Sequence, residues 1–510
     1  MKISAVKIKN FRGYKDETNI KMENLTAFVG KNDVGKSTIL EALDIFFNDG
    51  DGVVKMDTKD VNVVQAQNGN TDIMIGVTFS DLPSRIVLDS EYETTLQNEY
   101  LLNQDNNLEV VKIFPNGGKA KVYVYAYHPT QDVCKDLLSK KEAELRKIIS
   151  TNHIECGNLN INAVMREAIR SHFQTELAPA MTMIDVAKGD TKSIWEQLQV
   201  HFPTFALFQA DRKNCDSDEE VQDPLKVAVK AALADEVLAA QLDQIAHRVV
   251  EQLQAVASLT LDKLREVDPA VASILSPDIP SVRALKWADV FKSVSISADD
   301  GIPINKRGSG VKRLLLMSFF RAEAERRMGS ENASGIVYAI EEPETSQHFA
   351  NQKILSAALQ TLAQRPNVQV VITSHSSVFI KEIDPSKIRL VASDGINGKT
   401  VTNVQPGLLG YQSLNEVSYI AFDAVTEEYH NELYGWIEQN HLLDDYRNGR
   451  PRVQYNKLQN GQITTLSITQ TEYIRHQIHH PENQHNPRFT LQQLQQSIVD
   501  MRAFILMHRS

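Results

Sequence analysis

GKNDVGKST, from Gly30 to Thr38, matches the spacing GxxxxGK[ST] through Gly30, Gly35, Lys36 and Ser37. Those residue types at that spacing suit the wrapping of phosphate groups. Glycines let the backbone curl around an anion with its N–H groups inward, a lysine neutralises charge, and a serine hydroxyl can ligate Mg²⁺. A second chemical feature is IVYAIEEPE, Ile336 to Glu344, where an apolar run ends in the adjacent carboxylates Glu341 and Glu342. Successive strand residues face opposite ways, so the two are expected to divide the work. Glu341 is expected in the Mg²⁺ shell, partly through water, and Glu342 is expected to polarise an attacking water as general base. A third is PNVQVVITSHSSVFI, which sets His375 just past an apolar run between Ser374 and Ser376. An imidazole there can hydrogen-bond a terminal phosphate and register its loss. Each feature has a plainer reading, respectively a loop that needs glycines, a capping pair before a helix and a structural histidine. Their co-occurrence in one chain favours the phosphate reading.

A fourth piece lies in NKRGSGVKRLLLMSFFRAEAERR, where Arg307 to Gly310 form a glycine-serine turn opening a helix. Its N–H groups and the Ser309 hydroxyl can bind an anion; the alternative is an ordinary N-cap at Ser309. Its position ahead of IVYAIEE favours the first.

These residues need elements to hold them. LTAFV supplies a strand leading into the glycine loop, and STILEALDIFF supplies a helix whose N-terminus favours anions. KISAVKIKNF, DIMIGVTFS, LEVVKIFP and AKVYVYAY also read as strands, with NGGK as a turn between the last two. Helical periodicity takes over from Asp132 to about Gln174 and from Asp223 to about Val267. Strand-like runs return at VFKSVSIS, GIVYAI, VQVVITS and IRLVAS, with helix-compatible runs between them, as in a sheet covered by helices. Past about residue 400 the chain turns polar, rich in His and Gln, and reads as mostly helical. The expected division is 1–128 as an N-terminal lobe with the glycine loop, 129–280 as a helical insertion for oligomerisation, 281–400 as a C-terminal lobe with the signature, paired carboxylates and His375, and 401–510 as a helical region for partner docking.

Composition bounds the function. At 510 residues, two or three domains are expected, and 42% hydrophobic with 23% charged residues is the balance of a soluble globular protein. No apolar run is long enough to span a bilayer, and MKISAVKIKNFRGY reads as a strand and not as a signal peptide, which predicts a cytoplasmic protein without a membrane role. Cys134, Cys156 and Cys215 lack metal-ligand spacing and read as free thiols. A net charge of −11 argues against the whole surface being a nucleic-acid platform, leaving room for a local basic patch.

The order NFRGY, GKNDVGKST, RGSGVKR, AIEEPE and TSH resembles the ABC-type ATPase heads of the SMC and overcoming-lysogenization-defect superfamily. The resemblance covers residues 1 to about 395 and implies an α/β fold: a mixed sheet with a P-loop core, a helical insertion and a mostly helical C-terminal region. It implies ATP and Mg²⁺ as ligands and hydrolysis of ATP to ADP and phosphate. ATP would meet Arg12, Gly30, Asn32, Gly35, Lys36, Ser37 and Thr38, and Mg²⁺ would meet Ser37 and Glu341. Glu342 and His375 would be catalytic. Ser309 and Gly310 would complete the site of a second subunit in trans, so two chains sandwich two ATP molecules. The chain departs from the pattern in three places. It lacks the full LSGGQ signature, it has Glu341 where aspartate is commoner, and its Q-loop glutamine has no evident position, although Gln65 and Gln67 lie in the right interval.

Members of the overcoming-lysogenization-defect branch often carry a C-terminal TOPRIM nuclease, which needs a glutamate and a DxD pair. The tail has no DxD; Asp444 and Asp445 are adjacent and read as part of a polar helix-terminal loop. NEVSYIAFDAVTEEYHNELYGWI and TEYIRHQIHHPENQHNPRFTLQQLQQSI resemble instead the tail of ATPases of bacterial anti-phage systems, the Septu type including its retron-associated versions. That resemblance implies a homo-oligomer, a dimer or a dimer-based assembly up to a hexamer, which restrains a separate HNH nuclease and leaves room for contact with DNA or RNA. The cluster RHQIHH allows other readings. Arg475 with His479 or His480 has the spacing of the Arg-His pair of metal-independent RNases, His476, His480 and His485 could hold a metal, and a helix end accounts for the same residues structurally.

Overall fold

The computed structural model describes residues 1–48, 52–88, 92–186, 191–209, 335–345, 349–393, 398–404, 407–411, 413–459 and 462–509, with scattered positions between 235 and 251. The signature segment Arg307–Arg313, the strand expected at VFKSVSIS, Cys215 and nearly all of the helix expected over 223–267 lie outside these residues.

Sixteen strands are described. They are β1 (Lys2–Lys9), β2 (Thr18–Lys21), β3 (Leu25–Val29), β4 (Asp72–Ser80), β5 (Ile86–Val87), β6 (Glu93–Thr94), β7 (Leu108–Pro115) and β8 (Lys121–His128), then β9 (Ala180–Asp185), β10 (Thr204–Phe208), β11 (Ile336–Glu341), β12 (Val368–Ser374), β13 (Ile388–Ser393), β14 (Lys399–Asn403), β15 (Arg452–Gln459) and β16 (Gln462–Thr469). Two six-stranded sheets dominate. One is antiparallel, in the order β2-β1-β4-β7-β8-β9; the other runs β10-β11-β12-β3-β13-β14, parallel except for β14. A parallel sheet covered on both faces needs strands that are apolar throughout. β3, LTAFV, is accordingly buried at every position, and so is β12.

The helix α1 (Lys36–Asn48) lies between the sheets. Its Ile39, Leu40, Leu43 and Phe46 share one core with Val6 and Ile8 of β1 and with Val337 and Ala339 of β11. The intervening β11 residues, Ile336, Tyr338 and Ile340, face a second core built with Leu355, Leu359 and Phe379. The period-2 alternation of β11 therefore feeds two cores from one strand. Gln369 fastens the sheets together. Buried in β12, its amide accepts the Ile3 N–H at 2.6 Å and donates to the Ile3 carbonyl at 2.8 Å.

One expectation from the sequence does not hold. The interval 129–280 is expected to be helical, yet β9 joins the antiparallel sheet and β10 forms the edge of the parallel one. The tail is mostly helical, as expected, and also carries β15 and β16 as an eight-pair antiparallel hairpin. Helices Glu427–Gln439, Gln470–His479 and Leu491–His508 pack into a separate core that includes Leu433, Ile437, Ile474, Ile498, Met501 and Ile505. Inside it His430 Nε2 meets the Ser497 hydroxyl at 3.0 Å, which donates to Thr471 at 2.8 Å. Helices Glu142–Thr151 and Asn162–His172 carry a fourth core around Cys134, a free buried thiol. Among the described residues no helix is long and apolar enough to cross a membrane.

Candidate active site

The glycine loop sits at the C-terminal end of β3, in the middle of the parallel sheet, where ligands of open α/β sheets bind. Only glycine fits the first position of the loop: Gly30 has a φ of +155°, and a Cβ there would lie 2.4 Å from the Val391 carbonyl oxygen. Lys36, only 5% exposed, donates to the carbonyls of Gly30 at 2.9 Å and Lys31 at 2.8 Å. Burial pushes its ammonium down from the ordinary lysine value, and Glu342, Glu344, Asp33 and Glu341 oppose that shift. A cation held on carbonyls among carboxylates is poised to receive an anion.

The loop opens into a cleft of about 700 Å³ lined by Asn32, Lys36, Ser37, Thr38, Glu341 and Glu342, among others. Ser37 Oγ donates to Glu341 Oε1. Glu342, immediately past β11, is pinned at φ +42°, with its N–H donating to the Thr373 carbonyl and hydroxyl, each at 3.1 Å. A non-glycine residue held in this region stores strain that the surroundings must over-determine. The register Glu341↔Thr373 sets both carboxylates beside the end of β12, from which His375 projects. His375 Nδ1 lies 3.2 Å from Glu342 Oε1 and 3.8 Å from Glu344 Oε1. The paired carboxylates and the histidine expected from sequence thus meet at the loop.

Arg12 does not itself line the cleft but contacts Glu41, which does. Its Nε donates to Asp60 at 2.7 Å. Neither Gln65 nor Gln67 lines the cleft; both belong to the short helix Val63–Gln67, and Gln65 donates to the Lys15 carbonyl. Gln209, just past β10, lines it instead and donates to Glu41 at 3.4 Å. Its Oε1 is buried without a hydrogen-bond partner among the described residues. The sequence holds a signal for it, since TFALFQ ends an apolar run in a polar side chain just as IVYAIEE does. Glu41 is equally traceable, four residues beyond Ser37 and so on the same helical face. Glu344 belongs to the site as well, although the motif reading stops at Glu342. Only 2% exposed, it accepts from Ser374 Oγ at 2.7 Å and from the N–H groups of His375 and Ser376 at 3.0 and 3.2 Å.

The family model described as AAA ATPase domain matches residues 1–380. The chain belongs to that family. Its fold is mixed α/β, with the glycine loop and the carboxylate pair at the C-terminal ends of β3 and β11 in the parallel sheet, and the chain is an ATP-binding ATPase. Mg²⁺ ordinarily accompanies ATP in such enzymes. The oxygens of Ser37, Glu341 and the orphaned Gln209 Oε1 are the hard donors that ion prefers. No curated protein matches this AAA ATPase-domain chain. Similar solved structures include an SMC head domain from Thermotoga maritima, 11% identical over 79% of this chain and 100% of that one, with a TM-score of 0.32. An Smc head from Pyrococcus furiosus, bound to the C-terminal domain of ScpA, is 10% identical over 78% of this chain and 95% of that one, at 0.40.

In the tail, Asp444 and Asp445 lie in the first turn of the helix Leu443–Arg447, not in a loop. Arg475 is engaged with Glu438 at 3.1 Å and stacks over the Tyr434 ring. His480 pairs with Glu482, and His476 stacks on Tyr455. Among the described residues no three His, Cys, Asp or Glu side chains are grouped to hold a metal ion.

Proposed function

We propose that this ATPase is the regulatory subunit of a bacterial anti-phage defence complex. Its heads pair into ATP-sandwich dimers within a larger oligomer, Ser309 and Gly310 of each completing the partner site, and the assembly controls a separate HNH-type nuclease. Within one head, Lys36 and the loop N–H groups hold the phosphates, Arg12 is released from Glu41 towards them, and Asn32 and Thr38 line the phosphate path. Ser37, Glu341 and Gln209 form the oxygen set for Mg²⁺. Glu342 takes the proton of the attacking water, oriented by His375, which reports loss of the terminal phosphate.

The observation that carries a regulatory reading is the pair Lys31–Asp423, 2.6 Å. Lys31 is in the phosphate loop; Asp423, at φ +54°, caps the helix Leu414–Phe422 at the start of the tail. An exposed pair of this kind contributes little stability, about 0–1 kcal/mol, but it makes the tail a direct neighbour of the loop that changes when nucleotide enters. The tail sequences that resemble Septu-type ATPases supply the rest. The engagement of Arg475 with Glu438 and Tyr434 weighs against its use on RNA.

The test is to purify the chain alone and incubate it with ATP, Mg²⁺, DNA and RNA, then to co-express it with neighbouring genes and identify bound subunits by mass. ATP hydrolysis without nucleic-acid cleavage, together with a co-purifying nuclease that is silent until nucleotide changes, is the expected result. Cleavage by the chain alone, abolished by His480→Ala and not by Glu342→Gln, would overturn the proposal.

A further inference from the structure

Lys399 is the first residue of β14, the antiparallel strand at the edge of the parallel sheet, where it pairs with Ser393. No sequence motif marks it, yet it lines the same cleft as Lys36. Its backbone N–H donates to the Gly13 carbonyl at 3.2 Å. Its side chain then runs over two glycines from separate motifs. A Cβ on Gly13, in NFRGY, would lie 2.3 Å from Lys399 Cε, and one on Gly35, in the phosphate loop, 2.5 Å from Cδ. The ammonium ends on the Asp33 carbonyl at 2.9 Å.

That carbonyl satisfies one of the three donors of an ammonium. Among the described residues Lys399 has no carboxylate partner in ion-pair contact, and a second cation, Arg12, lies close enough to be felt. Burial holds its pKa below the usual lysine range, with Asp33 working against the shift and Arg12 with it. A partly desolvated cation beside another cation, hydrogen-bonded only to a neutral carbonyl and with the Asp33 carboxylate outside ion-pair contact, gains from an anion that completes the arrangement. The anion that fits a cleft shared with Lys36 is a polyphosphate.

We propose that Lys399 is a further ligand of the nucleotide phosphates, delivered across Gly13 and Gly35 by the β13–β14 hairpin. This rests on the ATP reading of the cleft and deepens it. It also assigns Gly13 a purpose: absence of a side chain there leaves the channel through which the lysine stem passes.

Equilibrium binding of ATP and AMP to the full chain tests the idea. Lys399→Gln should weaken ATP by about tenfold or more, the worth of one charged hydrogen bond, while AMP binding changes far less. Gly13→Ala should weaken ATP similarly, and the double variant should be no weaker than Lys399→Gln alone. Wild-type ATP affinity in Lys399→Gln, or equal loss of ATP and AMP affinity, overturns the proposal, the latter because it marks a structural clamp. Additive losses in the double variant overturn the channel role of Gly13. If Lys36→Ala abolishes ATP binding while Lys399→Gln retains it, only the Lys399 assignment falls; if the unaltered chain binds no ATP, the reading of the cleft itself falls.

Discussion

Glu344 accepts the backbone N–H of His375 at 3.0 Å. The same carboxylate oxygen takes the Ser374 hydroxyl and the Ser376 N–H, so a buried acid organises the turn that presents the histidine to Glu342. Glu344→Ala should therefore lower kcat at least as far as loss of a positioned group does, on the order of tenfold, with ATP affinity nearly unchanged. It should also cost about 2 kcal/mol of stability by orphaning the Ser374 hydroxyl and the His375 N–H, while the Ser376 N–H keeps Ser374 Oγ as acceptor. Steady-state hydrolysis beside thermal unfolding separates the two effects. Unchanged kcat with lowered Tm would reduce Glu344 to a structural residue.

Glu342→Gln should slow hydrolysis on the order of 10²-fold or more, the usual contribution of a positioned base, while ATP still binds. Because bound ATP is then not consumed, paired heads should accumulate, visible as a mass increase in light scattering upon ATP addition. Hydrolysis at the normal rate would remove the base assignment from Glu342. Lys36→Ala should instead abolish binding, since the phosphates lose their buried cation.

Gly30→Ala places a methyl group 2.4 Å from the Val391 carbonyl, a backbone atom that cannot swing aside, at a φ of +155°. The loop must move off the end of β3 to accommodate it. Loss of measurable ATP binding, with a stability cost of about 1–3 kcal/mol for the strained backbone, is expected in isothermal titration and denaturant unfolding.

The tail should weaken in acid. His430 is fully buried, and burial, aided by Arg475, lowers its pKa from 6.5 to about 4, with Asn431, whose side chain can accept from the protonated ring, resisting. Above pH 6.5 the imidazole is neutral whether folded or unfolded and has no influence. Between 6.5 and 4 the unfolded chain binds a proton that the folded chain refuses, so stability falls as pH falls, by up to about 3 kcal/mol. Urea unfolding followed through the tail tryptophan, Trp436, across that range should show the slope, and His430→Gln should flatten it.

Much of this site is legible in the amino-acid order because its chemistry is local. GKNDVGKST, IVYAIEE and TSH each join an apolar run to a polar terminus, and that pattern survives in one dimension. Strands β1, β3, β4, β7, β8, β11, β12 and β13 are likewise visible as apolar or alternating runs. What escapes depends on distant pairing. Gln209 matters only because β10 lies beside β11, more than a hundred residues away in sequence, and Lys399 only because its strand closes over Gly13. The hairpin β15–β16 is hidden for another reason. RVQYNKLQ and QITTLSIT are largely polar, and the second is mostly exposed, so they lack an apolar stripe, although the Asn460-Gly461 dipeptide between them is a strong hairpin cue.

The strand that carries the phosphate loop is completed late. β3 ends at Val29, yet its two neighbours in the sheet begin at Val368 and Ile388. A nascent chain leaving the ribosome therefore exposes the glycine loop without the walls that shape it until β12 and β13 have been made. Long-range pairing of this kind is slow and vulnerable to misassembly, and it ties the first appearance of nucleotide affinity to the synthesis of those two strands.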